Sequence, residues 1–382
     1  MIQETSPRES DKFNPEPAEP QNDSAPQPQE QPDQILTRSR VLVPPRPEQL
    51  FSATIQPPNL AAVDWQTAMR TAIRSRKQLL ERLNLPADTD AGQLETFPTF
   101  VPLEFLSRIA PGDPDDPLLR QVLPIGDELV LDPHFVSDPV GDLDSLAAGG
   151  VIHKYDGRVL LIASGVCAVH CRYCFRREFP YQEAGSRREN WAPAIEYVQS
   201  HPDVEEVILS GGDPLTLTDT KLFELIDQID AIPHVRRIRI HTRLPIVIPQ
   251  RVTEALCSKL KETRSAIWFV VHCNHANELD SSVIARMEML VDAGIPVLNQ
   301  AVLLRGVNDD EQTLVDLCMK LVNHRIQPYY LHQLDRVRGT KHFEVPVQQG
   351  LELINRIRSR LPGYAVPTYV SEHAGQPSKT PL

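Results

Sequence analysis

Arg158-Val-Leu-Leu-Ile-Ala-Ser-Gly-Val-Cys-Ala-Val-His-Cys-Arg-Tyr-Cys174 decides how the rest of this chain is read. Its first half, Arg158 to Ser164, is apolar and partly β-branched, the composition of a buried strand. Its second half places Cys167, Cys171 and Cys174 in C-x3-C-x2-C spacing, so three thiols crowd one short loop at the strand's end. A fully protein-ligated 4Fe–4S cluster takes four thiolates; three leave one iron open to a small molecule. The alternative is a tetrahedral zinc site with His170 as fourth ligand, although zinc sites of that kind usually pair ligands from two separated segments. Cys257, Cys273 and Cys318 stand singly in apolar surroundings and read as ordinary buried thiols. Six cysteines with no leader predict a reducing, cytoplasmic setting.

Downstream of Tyr155, strand-like and helix-like stretches alternate. The expected strands are 158–164, 206–210, 235–242, 266–273, 297–304 and 327–334. Each is followed by an amphipathic segment: 191–200, 219–231, 250–262, 280–293, 310–323 and 348–361. Six β-α units in series predict an α/β fold, a parallel sheet with right-handed crossovers closing only part of a TIM-like (β/α)6 barrel. Sites in such folds gather at the C-terminal ends of the strands, which is where the cysteine loop falls. Ser210-Gly211-Gly212-Asp213-Pro214 follows the second strand, and paired glycines there would let backbone approach a ligand; a tight turn explains them equally well. His241, His272 and Asn274 end the third and fourth strands and Gln300 lies in the fifth, making them secondary pocket candidates.

Upstream, Trp65, Met69, Ile73, Leu79, Leu80 and Leu83 recur at helical spacing and Pro86 closes the run, predicting one helix over 61–85. Shorter helical pieces are expected over 103–109 and 116–123. Residues 59–150 are therefore read as a mostly helical module, 151–361 as the barrel and 362–382 as a C-terminal segment. Residues 1–58, rich in Pro, Gln, Glu, Asp and Ser, read as a disordered tail that buries too little apolar surface to offset its ordering entropy. A net charge of −12 argues against general nucleic-acid affinity. No apolar run approaches the ~20 residues that span a bilayer.

Three cysteines in this spacing, with Tyr173 before the last, resemble the radical S-adenosylmethionine (SAM) enzymes. That resemblance implies SAM chelated to the open iron, and Ser210 to Asp213 matches the segment near its amino group. The likeness widens over His153-Lys-Tyr-Asp-Gly-Arg158, Cys171-Arg-Tyr-Cys-Phe-Arg-Arg177, His272-Cys-Asn-His-Ala-Asn-Glu278, Asn299-Gln-Ala-Val-Leu-Leu-Arg-Gly-Val-Asn308 and Pro328-Tyr-Tyr330. These stretches resemble the lysine 2,3-aminomutase family. With 113–122 and Pro377-Ser-Lys-Thr-Pro381, the chain is most similar to the short bacterial subgroup that makes (R)-β-lysine for elongation factor P.

The resemblance implies a radical SAM barrel and pyridoxal 5′-phosphate (PLP) joined to Lys379, a residue otherwise read as solvated tail. Lysine suits the role because its neutral amine condenses with an aldehyde. It also implies Tyr155 and Arg158 near the PLP ring and phosphate, and His272 and Gln300 among the cofactor contacts. Arg176 matches the grip on the substrate carboxylate, and Asp335 with Glu372 the acidic pair that holds the distant ammonium of L-lysine. Glu372 stands where the catabolic members have aspartate, which leaves chain-length preference open. No cysteine occupies the loop at Asp309 and Asp310, so the structural zinc of those members is not carried over. A flavodoxin- or ferredoxin-type electron donor and a ligase using the product are implied partners, and self-association as a homo-oligomer is compatible. The rivals are an arginine, ornithine or catabolic lysine aminomutase and, in a different class, a non-catalytic iron–sulfur carrier.

Overall fold

The computed structural model describes residues 63–89, 97–181 and 190–382. The tail expected over 1–58 lies outside the described residues. The sheet follows chain order throughout: β1 (Val151–Tyr155), β2 (Arg158–Ser164), β3 (Glu206–Gly211), β4 (Arg237–Thr242), β5 (Ala266–His272), β6 (Val297–Val302), β7 (Gln327–His332), β8 (Thr368–Ser371) and β9 (Thr380–Pro381). Strands β2 to β8 are mutually parallel, while β1 and β9 pair antiparallel on the two edges. No pairing joins β1 to β9 among the described residues, so the sheet is an open arc. The six expected strands are all present. β1, β8 and β9 were not foreseen, and they extend the parallel set by one strand beyond six.

Among the described residues, four short α-helices precede the sheet: α1 (Trp65–Thr71), α2 (Arg76–Arg82), α3 (Leu103–Leu106) and α4 (Pro117–Arg120). The single helix expected over 61–85 is therefore two. Asp64 caps α1 through Thr67 N and Ser75 caps α2 through Gln78 N, and between them Ile73 bridges antiparallel to Val101. α1 buries Ala68 and α2 buries Leu79 and Leu80, and long irregular connections replace much of the helix expected over 59–150.

Crossover helices α5 (Ala192–Gln199), α6 (Asp219–Asp230), α8 (Glu254–Glu262), α9 (Ser281–Asp292), α10 (Glu311–Asn323) and α11 (Val347–Arg358) coat the outer face, and a short α7 (Leu244–Val247) follows β4. Thr218, Thr253, Asp280 and Asp310 open four of them by accepting a backbone N–H of the first turn. α6 buries Leu222, Leu225, Ile226 and Ile229, the i, i+3, i+4, i+7 stripe of a helix on a sheet. Period-two alternation in β3 sends Val207 and Leu209 to these helices and Ile208 and Ser210 to the concave face. A cavity of about 660 Å³ occupies that face.

Candidate active site

Every residue named from the sequence for the cluster, the cofactors or the substrate lines this one cavity. Cys167, Cys171 and Cys174 are free thiols at one end. Burial, and then the crowding of Cys174 and Cys171, pushes Cys167 well up; burial and Cys171 push Cys174 up to about 11. Iron bound to Cys167 and Cys174 would hold them as thiolates.

The loop is fixed from below by buried charge. Glu128 accepts from Arg172 at 2.7 and 2.5 Å and from Arg177 at 2.7 Å, and all three side chains are almost wholly buried. Arg243 donates to Cys171 Sγ at 2.6 Å, to Gln121 Oε1 at 2.7 Å and to Glu278 Oε2 at 2.9 Å. Asn274 joins this web through Tyr173 and Gln121, so its amide serves the loop's support rather than the pocket. His170 stacks between Phe97 and Phe100 with Nδ1 2.8 Å from the Pro98 carbonyl oxygen. These contacts already engage His170, which counts against it as the fourth ligand of a Cys3His zinc site. A 4Fe–4S cluster instead spreads its thiolates across separate irons.

The Gly-Gly-Asp run is built as the tight turn that is one of the two readings of its sequence. A Cβ on Gly211 would lie 2.4 Å from Ser164 O, and one on Gly212 would lie 2.4 Å from Val166 O. The glycines let the end of β3 press against the root of the cysteine loop, with Gly212 N and Asp213 N donating to those same carbonyls. The Asp213 carboxylate accepts from Leu215 N, Thr242 Oγ1, Arg243 N and Leu244 N, at 2.7 to 3.0 Å. With four internal donors it anchors the β4–α7 turn, and a ligand would find it already engaged.

At the other end the charges alternate. Arg176 Nε donates to Asp142 at 2.6 Å, Lys154 pairs with Asp142 at 2.5 Å and with Glu372 at 3.1 Å, and Glu372 directly contacts Lys379 Nζ. Burial alone would raise Glu372, but Lys379 and Lys154 hold it at about 2. Asp335 has no cation in contact; burial and the neighbouring Glu372 push it up to about 7. Arg158 lies over the Tyr155 ring, 4.8 Å from its centroid.

Among the described residues, four buried polar atoms on cavity-lining residues have no partner: His241 Nε2, His332 Nε2, Arg239 Nε and Arg243 Nε. Burial holds both imidazoles neutral, well below the ordinary histidine range. His272 is likewise held at about 3 by burial and by Arg243, and contacts Gln300 at 3.1 Å. Unmet groups of this kind cost about 1–3 kcal/mol each and are what a polar ligand would satisfy. The room and the donor set therefore fit a cluster, a nucleoside-bearing molecule and a phosphorylated aldehyde together.

Residues 161–318 match the Radical SAM superfamily. The L-lysine 2,3-aminomutase of Escherichia coli is 46% identical over 323 residues, 84% of this chain and 94% of that protein. That of Haemophilus influenzae is 43% identical over 83% and 95%. The chain belongs to the lysine 2,3-aminomutase family. The Clostridium subterminale member is 37% identical over 84% of this chain and 77% of its own length. Streptococcus suis SuiB bound to S-adenosylmethionine is similar in fold at a TM-score of 0.41 and 14% identity, over 57% of this chain and 51% of that one, too loosely to add to the argument.

Membership brings the cluster and SAM with it, but several site residues had no sequence signal. Asp142 sits in an irregular stretch outside every quoted motif, and Gln121 and Arg243 lie 46 and 69 positions from the nearest of the three cysteines. Lys154 lay inside the quoted 153–158 segment, and its flanking position beside Tyr155 was the available clue. No described helix is long and apolar enough to cross a membrane.

Proposed function

We infer that the protein is a radical SAM, PLP-dependent lysine 2,3-aminomutase, moving the α-amino group of L-lysine to the β-carbon to give (R)-β-lysine. The observation that carries this is the convergence of the three cysteines, Arg176, Asp335, Glu372 and Lys379 on one cavity. When bound, the cluster with SAM supplies hydrogen abstraction and return, and PLP carries the migrating nitrogen.

The chain's own part is position and charge. Cys167, Cys171 and Cys174 hold the cluster; Ser210, Gly211 and Gly212 form the wall beside it. Arg176 spends Nε on Asp142 and reaches Ser210 Oγ only at 3.4 Å with Nη1, which leaves donor capacity for a substrate carboxylate. Tyr155, Arg158, His272 and Gln300 line the cavity with Lys379 and would hold PLP there. Asp335, held partly protonated, would ionise fully beside a substrate ammonium, and Glu372 Oε2 would be available to the same ammonium with Lys379 committed to the cofactor, while Oε1 keeps Lys154.

Modification of elongation factor P as the product's use rests on the likeness of 113–122 and 377–381 to the short subgroup, and a flavodoxin- or ferredoxin-type donor supplies the electron. The test is an anaerobic assay of reconstituted protein with SAM, PLP, a strong reductant and L-lysine, with L-arginine and L-ornithine in parallel and products resolved by chiral chromatography. (R)-β-lysine as main product is expected. Preferential turnover of arginine or ornithine, or none in protein carrying intact cluster and PLP, overturns the substrate assignment.

A further inference from the structure

Lys379 reaches the cavity from the last connection of the chain, and the geometry of that connection is specific. β8 and β9 pair antiparallel with Val370 opposite Pro381 and Ser371 opposite Thr380. The same register carried one step further sets Glu372 opposite Lys379, and their side chains are in contact. Beyond them, Leu382 N donates to Tyr369 O at 2.9 Å.

The strand that provides this register is itself immobilised. Tyr369 is buried and packs so closely over Gly350 that a Cβ there would lie 2.2 Å from its hydroxyl oxygen. Gln333 N donates to Val370 O at 2.8 Å, tying β8 to the chain after β7. In contrast, Thr380, Pro381 and Leu382 are all exposed and bury no core. They contribute little to global stability, yet the face on which Lys379 projects depends on them, because a slip of one residue in a strand sends every side chain to the opposite face.

We propose that Thr380–Leu382 is a register strand whose function is to present the Lys379 amine to an aldehyde cofactor in the cavity, opposite Glu372. Without it Lys379 sits on a loose end, and the ordering of that end must be met from cofactor binding itself. The proposal rests on Lys379 being the residue that carries PLP.

Three forms are compared: the full chain, a chain stopped after Lys379, and a length-matched form carrying Thr380→Gly, Pro381→Gly and Leu382→Gly. PLP affinity is read by absorbance titration, its attachment point by borohydride reduction and peptide mass, and integrity by cluster iron content and Tm. Both altered forms are expected to bind PLP about tenfold or more weakly, with cluster content and Tm unchanged. PLP bound to Lys379 of the stopped chain as tightly as in the full chain overturns the proposal, as does parallel loss of cluster in both forms, which would mark a purely structural strand. Trapping on another lysine in the full chain overturns the Lys379 assignment instead.

Discussion

Glu128→Gln isolates the charge that holds the cysteine loop. The carboxylate takes three charge-assisted hydrogen bonds from Arg172 and Arg177, at 2.5 to 2.7 Å, where all three side chains are almost wholly buried. An amide of the same shape leaves two buried guanidinium groups without a counter-ion, a change that typically costs about 3–5 kcal/mol. For a compact unit of roughly 330 residues, the unfolding entropy is ~0.7 kcal/mol per kelvin, so Tm should fall by about 4–7 °C. Arg172 lies between Cys171 and Cys174, so cluster iron after anaerobic reconstitution should fall as well. Glu205→Gln is the contrast: its pairs with Arg236 and Arg237 are exposed and it should cost under about 1 kcal/mol. Burial raises Glu128, but Arg172 and Arg177 hold it below the usual carboxylate range. Its contribution is therefore present above the ordinary carboxylate pKa and lost as pH falls through the folded one, so the two proteins should converge in acid. Equal Tm and equal iron content at neutral pH would refute this account of the loop.

Asp335→Asn should stabilise the protein at pH 8 by on the order of 2 kcal/mol and by much less at pH 5, because a carboxyl raised to about 7 loses stability as pH rises through that value; Tm measured at both values checks the sign, and turnover of lysine should collapse. Gly212→Ala would set a methyl 2.4 Å from Val166 O, so cluster iron should fall with β3 displaced from the cysteine loop, while PLP binding is kept. Lys379→Ala should abolish the visible absorbance of bound PLP and leave that of the cluster intact; persistence of both would remove that lysine from its role.

The strands and crossover helices were legible because their signal is local. Period-two runs such as Glu206 to Ser210, followed by capped stripes such as Leu222 to Ile229, state both element and orientation within a dozen residues. The cysteines were legible for the same reason, since one loop carries all three. β8 and β9 were missed because four and two residues carry no periodicity; β8 forms against the edge of β7 and β9 against β8. The break at Ala72 was missed because Val101, 28 positions from Ile73, supplies the bridge.

The sequence alone determined which chemistry is present: three thiols on one turn, an arginine beyond them and a lysine near Leu382. Tertiary structure decided how those groups are charged and held. Asp213 and Asn274 look in sequence like ligands and prove to be braces, because four backbone and hydroxyl donors or a buried amide web claim them first. Asp142 and Lys154, unremarkable in sequence, link Arg176 to Glu372 and Lys379 across the cavity. Charge interactions depend on distance and burial, and both are properties of the folded chain: a carboxylate at position 335 is an ordinary acid until burial beside Glu372 brings it to about 7.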